Sequence, residues 1–252
     1  MSSPDLSIVI PNYNEKANLE RGVLEEMATY LNQVKFSYEV IINDDGSTDG
    51  GLQIIDSFVK SHPHFSVIKN SHVGKAGGIW AGIQTAKGKV VLFTDMDQST
   101  PLKEVEKLLP WYDQGFDVVF GSRGALRKNF PLSRQIMSWG FRTFRQIFLL
   151  RGVVDTQCGF KSLRTSVAKE IFPLLEVIAS PKQAKGWSVS AFDVELLFLA
   201  EKRGYRLKEV DVTWKDEDIS TSKPRNFIHE STGMLKQILR VKLNDIQGKY
   251  NQ

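Results

Sequence analysis

Short apolar runs alternate with segments of helical periodicity through the first half of the chain. The apolar runs cover residues 6–11, 38–43, 65–69, 90–93 and 117–120. The segments with apolar residues at helical spacing lie between them, at 19–31, 52–60, 76–86 and 102–111. This alternation predicts βαβ units. We therefore expect an α/β fold with a Rossmann-like, mostly parallel sheet and helices on both of its faces.

A polar run follows each predicted strand. These runs occupy residues 11–15, 44–49, 70–78, 95–97 and 121–123. Sheets of this kind bind ligands in the crevice beyond the carboxyl ends of their strands. The polar runs therefore predict one binding site along one edge of the sheet.

The second half of the chain has a different pattern. It contains an apolar stretch interrupted by arginines at 132–150 and a predicted helix at 192–202. A predicted strand at 207–214 and a predicted amphipathic helix at 227–245 follow. No repeat, low-complexity tract or linker divides the sequence. We expect a single domain over 1–252, made of a first half (1–123) and a second half (124–252).

The composition is that of a globular protein. Of 252 residues, 41% are hydrophobic and 25% are charged, which allows a sizeable core. The lone Cys158 excludes an intramolecular disulfide, and the lack of a Cys-x-x-Cys pair argues against a structural zinc site. The net charge of +4 favours anionic partners. Nucleic acid is not an expected partner, because the basic residues are dispersed and no recognition motif is present.

Membrane crossing and export are not predicted. The first residues lack the basic and apolar regions of a secretory signal. The longest apolar stretch, 136–154, contains three arginines and falls short of the roughly 20 apolar residues that span a bilayer. Within it, 136–150 combines bulky aromatics with arginines, which suits either a helix in the membrane interface or a helix packed on the sheet.

Asp95 and Asp97 are the strongest candidates for metal binding. If the strand continues from 89 to 97, both side chains point to the same side and Met96 turns away. Two carboxylates suit Mg²⁺ or Mn²⁺ bound to a diphosphate. An isolated Asp-x-Asp is more often a solvated turn, but the neighbouring polar loops favour the metal site.

Two further loops suit a phosphorylated nucleoside. Asp44, and with it Asp45, could bind a base or ribose, although Ser47 or Thr48 could equally cap a helix in an ordinary strand-to-helix turn. Lys75 lies in a glycine-containing loop before a helix, which suits contact with phosphate or helix capping. The loop is not a Walker A motif, because Lys69 replaces its first glycine.

Three motifs carry a resemblance to a known family. The chain resembles the inverting family-2 glycosyltransferases of GT-A fold in three motifs, which are Ile8-Val-Ile-Pro-Asn-Tyr-Asn-Glu15, residues 44–49 and Asp95-Met-Asp97. The resemblance implies a metal-dependent enzyme that uses a UDP- or GDP-sugar, with 1–123 as the nucleotide-sugar-binding half and 124–252 as the acceptor-binding half. The donor-site residues that it implies are Pro11, Tyr13, Glu15, Asp44, Asp45, Lys75, Asp95 and Met96.

The second half is similar to the polyprenyl-phosphate glycosyltransferases, especially the dolichyl-phosphate β-glucosyltransferase branch. The matching positions are 120–123, 133–134, 155–161, 192–196, 214 and 222–223. This resemblance implies transfer of glucose from UDP-glucose to a lipid phosphate. Glu217 stands where the mannosyl branch carries an arginine, which favours UDP over GDP and leaves transfer from GDP-mannose as an alternative.

A lipid phosphate acceptor calls for cations and needs no strong base. The predicted acceptor-binding residues are Arg123, Arg134, Ser138 and Lys223. A phosphate monoester has a second pKa of about 6 and is largely anionic at neutral pH. Asp155 and Asp193 are candidates for orienting the substrates or for acting as a base. The predicted catalytic set is Asp97, Asp155, Asp193 and Arg123.

The expected location is the cytoplasmic face of a membrane, as a peripheral protein. Two alternatives remain. A soluble family-2 enzyme could act on a glycan hydroxyl with Asp193 or Glu195 as the base, and a non-catalytic protein could bind a nucleotide-sugar or a lipid phosphate. The sequence leaves the oligomeric state open.

Overall fold

A computed structural model describes residues 3–124, 150, 152–179, 192–219 and 227–250, with side chains in the last segment described at 236 and from 238 onward. The described part contains one sheet. Its strands are β1 (Leu6–Asn12), β2 (Tyr38–Asp44), β3 (Phe65–Lys69), β4 (Val90–Phe93), β5 (Val118–Ser122), β6 (Lys161–Arg164) and β7 (Leu207–Asp211).

The strand order is β3-β2-β1-β4-β6-β5-β7, and every pairing except those of β6 is parallel. The predicted mostly parallel α/β sheet is confirmed. Strand β6, which runs antiparallel between β4 and β5, was not predicted from the sequence. Lys161 lies opposite Phe93, the last residue of β4, and opposite Phe120 in the middle of β5. The segment that precedes β6 therefore reaches the same edge as the loops of the first half.

Helices cover both faces of the sheet. They are α1 (Lys16–Glu20), α2 (Val23–Leu31), α3 (Gly51–Val59), α4 (Gly74–Thr85), α5 (Val105–Leu108), α6 (Pro110–Asp113), α7 (Thr165–Ile171), α8 (Glu176–Ala179), α9 (Phe192–Lys202) and α10 (Phe227–Ile246). Short 3₁₀ turns cover Leu102–Glu104 and Phe172–Leu174.

Three predicted boundaries were wrong. A continuous helix over 19–31 is interrupted at Gly22, whose φ of 91° is left-handed and ends the helical path. The helix predicted at 102–111 is a 3₁₀ turn followed by two short helices, and Pro110, which has no backbone N–H, begins the second of them. The last strand ends at Asp211 rather than at residue 214.

In the part of the chain that the structure describes, the core consists of two hydrophobic clusters, one on each side of the sheet. Ile8 and Ile10 of β1 belong to one cluster and Val9 to the other, as the two-residue period of a strand requires. Helix α4 packs so closely on β1 that a side chain at Gly82 would overlap Val9. One turn earlier in α4, Gly78 lies against Asn43 near the end of β2, which places the N-terminal part of α4 at the carboxyl edge of the sheet.

Among the described residues, no helix has both the length and the apolarity needed to cross a bilayer. The C-terminal α10 is amphipathic, with Ile238 and Val241 buried and Leu239, Leu243 and Ile246 exposed. The proposed interface stretch 136–150 lies outside the described residues except for Leu150. The single-domain organisation over 1–252 stays a prediction.

Candidate active site

Asp95 and Asp97 lie in a tight turn immediately after β4. The expectation that the strand continues through Asp97 was wrong, because β4 ends at Phe93 and the Gln98 N–H donates to the Asp95 carbonyl at 3.3 Å. Met96 is buried in the core, whereas both aspartates keep partial exposure. A turn, rather than strand alternation, therefore turns Met96 away from the two aspartates.

The two carboxylates of this turn, Asp95 and Asp97, are close enough for their negative charges to repel each other. Burial, followed by the charge of Asp95, raises the pKa of Asp97 above its ordinary value. The ammonium of Lys75, at the start of α4, lies 2.5 Å from Asp95 Oδ1. Burial on its own would lower the pKa of Lys75, but the charge of Asp95, followed by that of Asp193, raises it. The fold thus brings four predicted site residues within electrostatic reach of one another.

The loop before β6 supports the same turn from the other side. A side chain at Gly159 would overlap the carboxylate of Asp95. Cys158 is buried beside Thr100, with its Sγ 3.9 Å from Thr100 Oγ1. Gly159 was quoted in the 155–161 motif but was not predicted as a site residue, because a sequence does not reveal a close approach between distant segments.

The donor set at this turn fits a divalent cation. Carboxylate oxygens are the ligands that Mg²⁺ and Mn²⁺ prefer, and a cation would neutralise the charge that raises the pKa of Asp97. Within the described residues, no group of three or more His, Cys, Asp or Glu side chains could hold a metal ion. Two carboxylates supply only part of the coordination of such an ion, which commonly keeps several water ligands.

Asp44 organises the turn after β2. It is buried, its Oδ1 accepts a hydrogen bond from Asn12 Nδ2 at 2.7 Å, and its Oδ2 accepts one from the Ser47 N–H at 3.1 Å. The suggested capping of α3 by Ser47 or Thr48 was wrong. Helix α3 has no side-chain cap at Gly50, and Ser47 Oγ accepts from the Asn14 N–H at 3.0 Å instead. A carboxylate has about four acceptor positions, so Asp44 keeps capacity for a ligand.

Asp45 anchors the loop that leads into α4. Its two oxygens accept hydrogen bonds from the backbone N–H groups of Val73 and Gly74 at 2.6 and 2.7 Å. His72 Nδ1 lies 3.1 Å from Asp45 Oδ2, and the His72 ring stacks on Tyr13 with centroids 4.3 Å apart. Asp45 therefore holds an aromatic pair beside the loop of Lys75. His72 was not predicted, because its pairing with Tyr13 depends on the fold.

The remaining donor-side candidates lie on β1 and just after it. Pro11 is in β1 and pairs in register with Asn43 at the end of β2. Glu15 precedes α1, and its carboxylate accepts a hydrogen bond from Asn18 at 2.6 Å. Both residues lie at the carboxyl edge of the sheet, where the sequence placed them.

Arg123 and Asp155 form a two-pronged ion pair. Arg123 Nε and Nη2 donate to Asp155 Oδ2 and Oδ1 at 2.7 and 2.9 Å. Burial would raise the pKa of Asp155, but the hydrogen bonds and charge of Arg123 hold it well below its usual range. Glu209 of β7 accepts from the Asp155 N–H at 2.7 Å, and the Arg123 guanidinium lies 5.6 Å from the ring centroid of Trp214. Such an arrangement suits Asp155 to orienting Arg123 rather than to accepting a proton.

Asp193 is paired with a buried lysine. Lys161, the first residue of β6, has no exposed surface, and its ammonium lies 2.7 Å from Asp193 Oδ1 while also donating to the Cys158 carbonyl. A buried ammonium requires such partners, because desolvation is otherwise very costly. Lys161 was quoted only as the end of a motif, and no sequence signal marked it as buried.

Three predicted acceptor residues, Arg134, Ser138 and Lys223, lie outside the described residues and stay predictions. Glu195, the alternative base, is buried. Its Oε1 accepts hydrogen bonds from the Tyr250 hydroxyl at 2.6 Å and from the Glu176 N–H at 3.1 Å. Glu195 therefore joins α9 to the C-terminal segment, which is a structural role.

The sequence matches a described family over most of its length. The model of "Glycosyl transferase family 2" matches residues 7–172. The chain is also similar to a dolichyl-phosphate beta-glucosyltransferase from Dictyostelium discoideum. The two are 33% identical in an alignment of 263 positions that covers 96% of this chain and 75% of the relative.

Solved structures share the fold at low sequence identity. A glucosyl-3-phosphoglycerate synthase from Mycobacterium tuberculosis, solved with Mn²⁺, UDP-glucose and phosphoglyceric acid, gives a TM-score of 0.61 at 16% identity over 98% of this chain and 80% of its own. A mannosyltransferase from Pyrobaculum calidifontis, solved with GDP-Man and Mn²⁺, gives the same score and identity over 98% of this chain and 65% of its own. These similarities confirm the expected GT-A fold.

Proposed function

The chain belongs to glycosyl transferase family 2 and is a hexosyltransferase. We propose that it transfers glucose from UDP-glucose, with inversion, to the phosphate group of dolichyl phosphate or a related polyprenyl phosphate. The similarity to a dolichyl-phosphate beta-glucosyltransferase along almost the whole chain supports glucose as the sugar and dolichyl phosphate as the acceptor. Glu217, at the position of the mannosyl branch's arginine, supports UDP rather than GDP.

On the donor side, we propose that Asp95 and Asp97 hold Mg²⁺ or Mn²⁺. The ion supplies positive charge for the diphosphate of the donor. Lys75 pairs with Asp95 Oδ1 in this structure, and we propose that its ammonium moves to the diphosphate when the ion occupies the two carboxylates. Tyr13, Asp44 and Asp45 would line the nucleoside end, with the stacked pair of Tyr13 and His72 as an aromatic surface.

On the acceptor side, the observation that carries the proposal is the ion pair of Arg123 and Asp155. A carboxylate whose pKa is held this low is a poor base for a sugar hydroxyl. A lipid phosphate, with a second pKa of about 6, needs no base to attack. Arg123 donates its hydrogen bonds to Asp155 from Nε and Nη2, and its third nitrogen, Nη1, is not one of these donors. We propose that Arg123 presents this remaining nitrogen to the acceptor phosphate.

The proposed reaction is one displacement at the anomeric carbon. An oxygen of the lipid phosphate forms a bond to that carbon, the bond from the carbon to UDP breaks, and UDP leaves with the electron pair on the opposite face. Arg123, held by Asp155, orients the attacking phosphate. Asp193, held by Lys161 and within electrostatic reach of Lys75, would orient the sugar hydroxyl groups.

We also propose attachment to the cytoplasmic face of a membrane, where a polyprenyl acceptor would be embedded. The exposed apolar side chains of Leu239, Leu243 and Ile246 follow one line of α10 and support this proposal. Co-sedimentation with vesicles that contain anionic lipid tests it. Protein that stays in the supernatant at every lipid concentration would favour the soluble alternative.

The transfer assay uses the purified protein, UDP-[¹⁴C]glucose, polyprenyl phosphate and Mg²⁺ or Mn²⁺. The proposal predicts label in the organic phase that depends on both the lipid and the metal ion. Label transferred only to a glycan hydroxyl would support the soluble glycosyltransferase. Tight binding of UDP-glucose with no transfer at any enzyme level would support a non-catalytic binding protein.

A further inference from the structure

Arg21 connects the turn of Asp97 with the loop that follows β7. It lies between α1 and α2, and its Nη2 donates to the Asp97 carbonyl at 2.6 Å. Its Nη1 donates to the Glu217 carbonyl at 3.0 Å and lies 3.4 Å from Glu217 Oε2. One side chain thus binds the backbone of a proposed metal ligand and the backbone of the loop that carries Trp214, the aromatic neighbour of Arg123.

The same two segments also contact each other directly. The Lys215 N–H donates to the Ser99 carbonyl at 2.9 Å, and the Glu217 N–H donates to Ser99 Oγ at 3.3 Å. Ser99 in turn donates its own N–H to Asp97 Oδ1 at 2.9 Å. A continuous chain of hydrogen bonds therefore runs from the carboxylate of Asp97 to the loop after β7.

The position of Arg21 is suited to setting these contacts rather than to holding the fold together. Its neighbours Leu19 and Val23 are buried and anchor α1 and α2 in the core without it. The Arg21 side chain is 24% exposed and belongs to neither hydrophobic cluster. Hydrogen bonds from a guanidinium to two carbonyls fix both the distance and the direction between the segments.

We infer that Arg21 is a positioning residue that holds the Asp97 turn and the loop of residues 213–218 in one arrangement, so that ion binding on the donor side and lipid phosphate binding on the acceptor side strengthen each other. The inference rests on the proposed function, which places the ion at Asp97 and the acceptor phosphate at Arg123, whose guanidinium lies 5.6 Å from the ring centroid of Trp214 in this loop. Coupling of this kind is reciprocal, because each ligand must change the affinity of the other by the same factor.

The test measures Mn²⁺ affinity by electron paramagnetic resonance, with and without a short-chain polyprenyl phosphate. In the wild type, the lipid phosphate should tighten Mn²⁺ binding. Arg21→Ala should weaken Mn²⁺ binding by about tenfold, since charged hydrogen bonds are lost, and should remove the effect of the lipid. Arg21→Lys, which keeps the charge but not the planar fork, should restore part of the affinity and little of the coupling.

Arg203→Ala is the matched control. Arg203 is 26% exposed and pairs with Glu170 at 3.0 Å, away from both loops. Its replacement should leave Mn²⁺ affinity and the effect of the lipid unchanged. In steady-state assays, Arg21→Ala should raise the KM for the acceptor more than the KM for UDP-glucose, whereas a loss of folded protein would lower kcat alone.

The outcomes separate this inference from the proposed function. Unchanged Mn²⁺ affinity and unchanged coupling in folded Arg21→Ala and Arg21→Lys would overturn the role of Arg21, even if the wild type transfers glucose. A wild type that binds Mn²⁺ but transfers no glucose to polyprenyl phosphate would overturn the proposed function. In that case, the Mn²⁺ titration without lipid still decides whether Arg21 supports the Asp97 turn.

Discussion

The carboxylate of Asp95 occupies the space that a side chain on Gly159 would need. Asp95 follows β4 in the first half of the chain, and Gly159 precedes the antiparallel β6 in the second half. The proposed donor-side ligand is thus supported by the segment that also carries Asp155, the partner of Arg123. The proposed donor and acceptor sides therefore meet where the Asp95 side chain packs against the backbone of Gly159.

Gly159→Ala should therefore displace Asp95 and lower both Mn²⁺ affinity and turnover, the latter by about a hundredfold, because a shift of about 1 Å in a reacting site has that effect. Titration of Mn²⁺ and the transfer assay measure the two effects. Gly121→Ala is the control, since its new methyl group would crowd Val212 and Cys158 but not Asp95. Equal loss of Mn²⁺ affinity in both variants would show that general damage, and not the contact with Asp95, is responsible.

Asp97→Asn should abolish most of the activity while preserving the fold. The amide oxygen can still accept the Ser99 N–H, which is 2.9 Å from Asp97 Oδ1, but the negative charge is lost. Loss of a metal-binding carboxylate should reduce kcat/KM by about a hundredfold or more and raise the Mn²⁺ concentration needed for activity. The exposed Asp113 provides a control, and Asp113→Asn should behave like the wild type. Full activity of Asp97→Asn at low Mn²⁺ would remove this residue from the proposed site.

Lys161→Met should destabilise the protein by about 3–5 kcal/mol, because it leaves the Asp193 carboxylate without its partner. The Lys161 side chain is fully buried, whereas the Asp193 side chain is 14% exposed. Because water can partly solvate the unpaired carboxylate, we expect a loss of stability at the lower end of that range. Urea unfolding followed by circular dichroism measures the change in free energy. The corresponding change at the exposed Lys60, Lys60→Met, should have little effect. A Lys161→Met variant as stable as the wild type would contradict the importance of this ion pair.

The ion pair of Asp155 with Arg123 predicts a specific pH dependence of stability. The folded-state pKa of Asp155 is depressed below the unfolded value of about 3.9, so the pair stabilises the fold above that pH. Its contribution declines as pH falls below about 4 and is lost as pH falls through the folded-state pKa. The difference in unfolding free energy between the wild type and Asp155→Asn should therefore be largest near neutral pH and smaller at pH 3. A difference that grows on acidification would contradict the assigned direction.

The fold was predictable where the local pattern was strong. The strands beginning at Leu6, Tyr38, Phe65 and Val90 appear where apolar runs marked them, because buried parallel strands need continuous apolar sequence. The antiparallel β6 was not predicted, since it has only four residues and begins and ends with charged side chains. Its place in the sheet is set by its neighbours.

The sequence predicted which residues belong to the candidate site better than it predicted the contacts between them. The strand-end rule placed Asp44, Lys75, Asp95 and Asp97 at one edge, and the structure brings the last three together. The geometric reason given for the aspartate pair was wrong, because a turn replaces the expected strand. Gly159, His72, Arg21 and Lys161 were missed because their importance comes from contacts with residues distant in sequence.

The measurement that tests the central claim most directly is a donor and acceptor screen in one experiment. UDP-glucose, other UDP-hexoses and GDP-mannose are each offered with polyprenyl phosphate or with a soluble glycan, in the presence of Mn²⁺ or Mg²⁺. We predict transfer from UDP-glucose to polyprenyl phosphate, a β-linked product, and no transfer after removal of the metal ion by a chelator. Transfer from GDP-mannose alone, or transfer only to the glycan hydroxyl, would contradict the account.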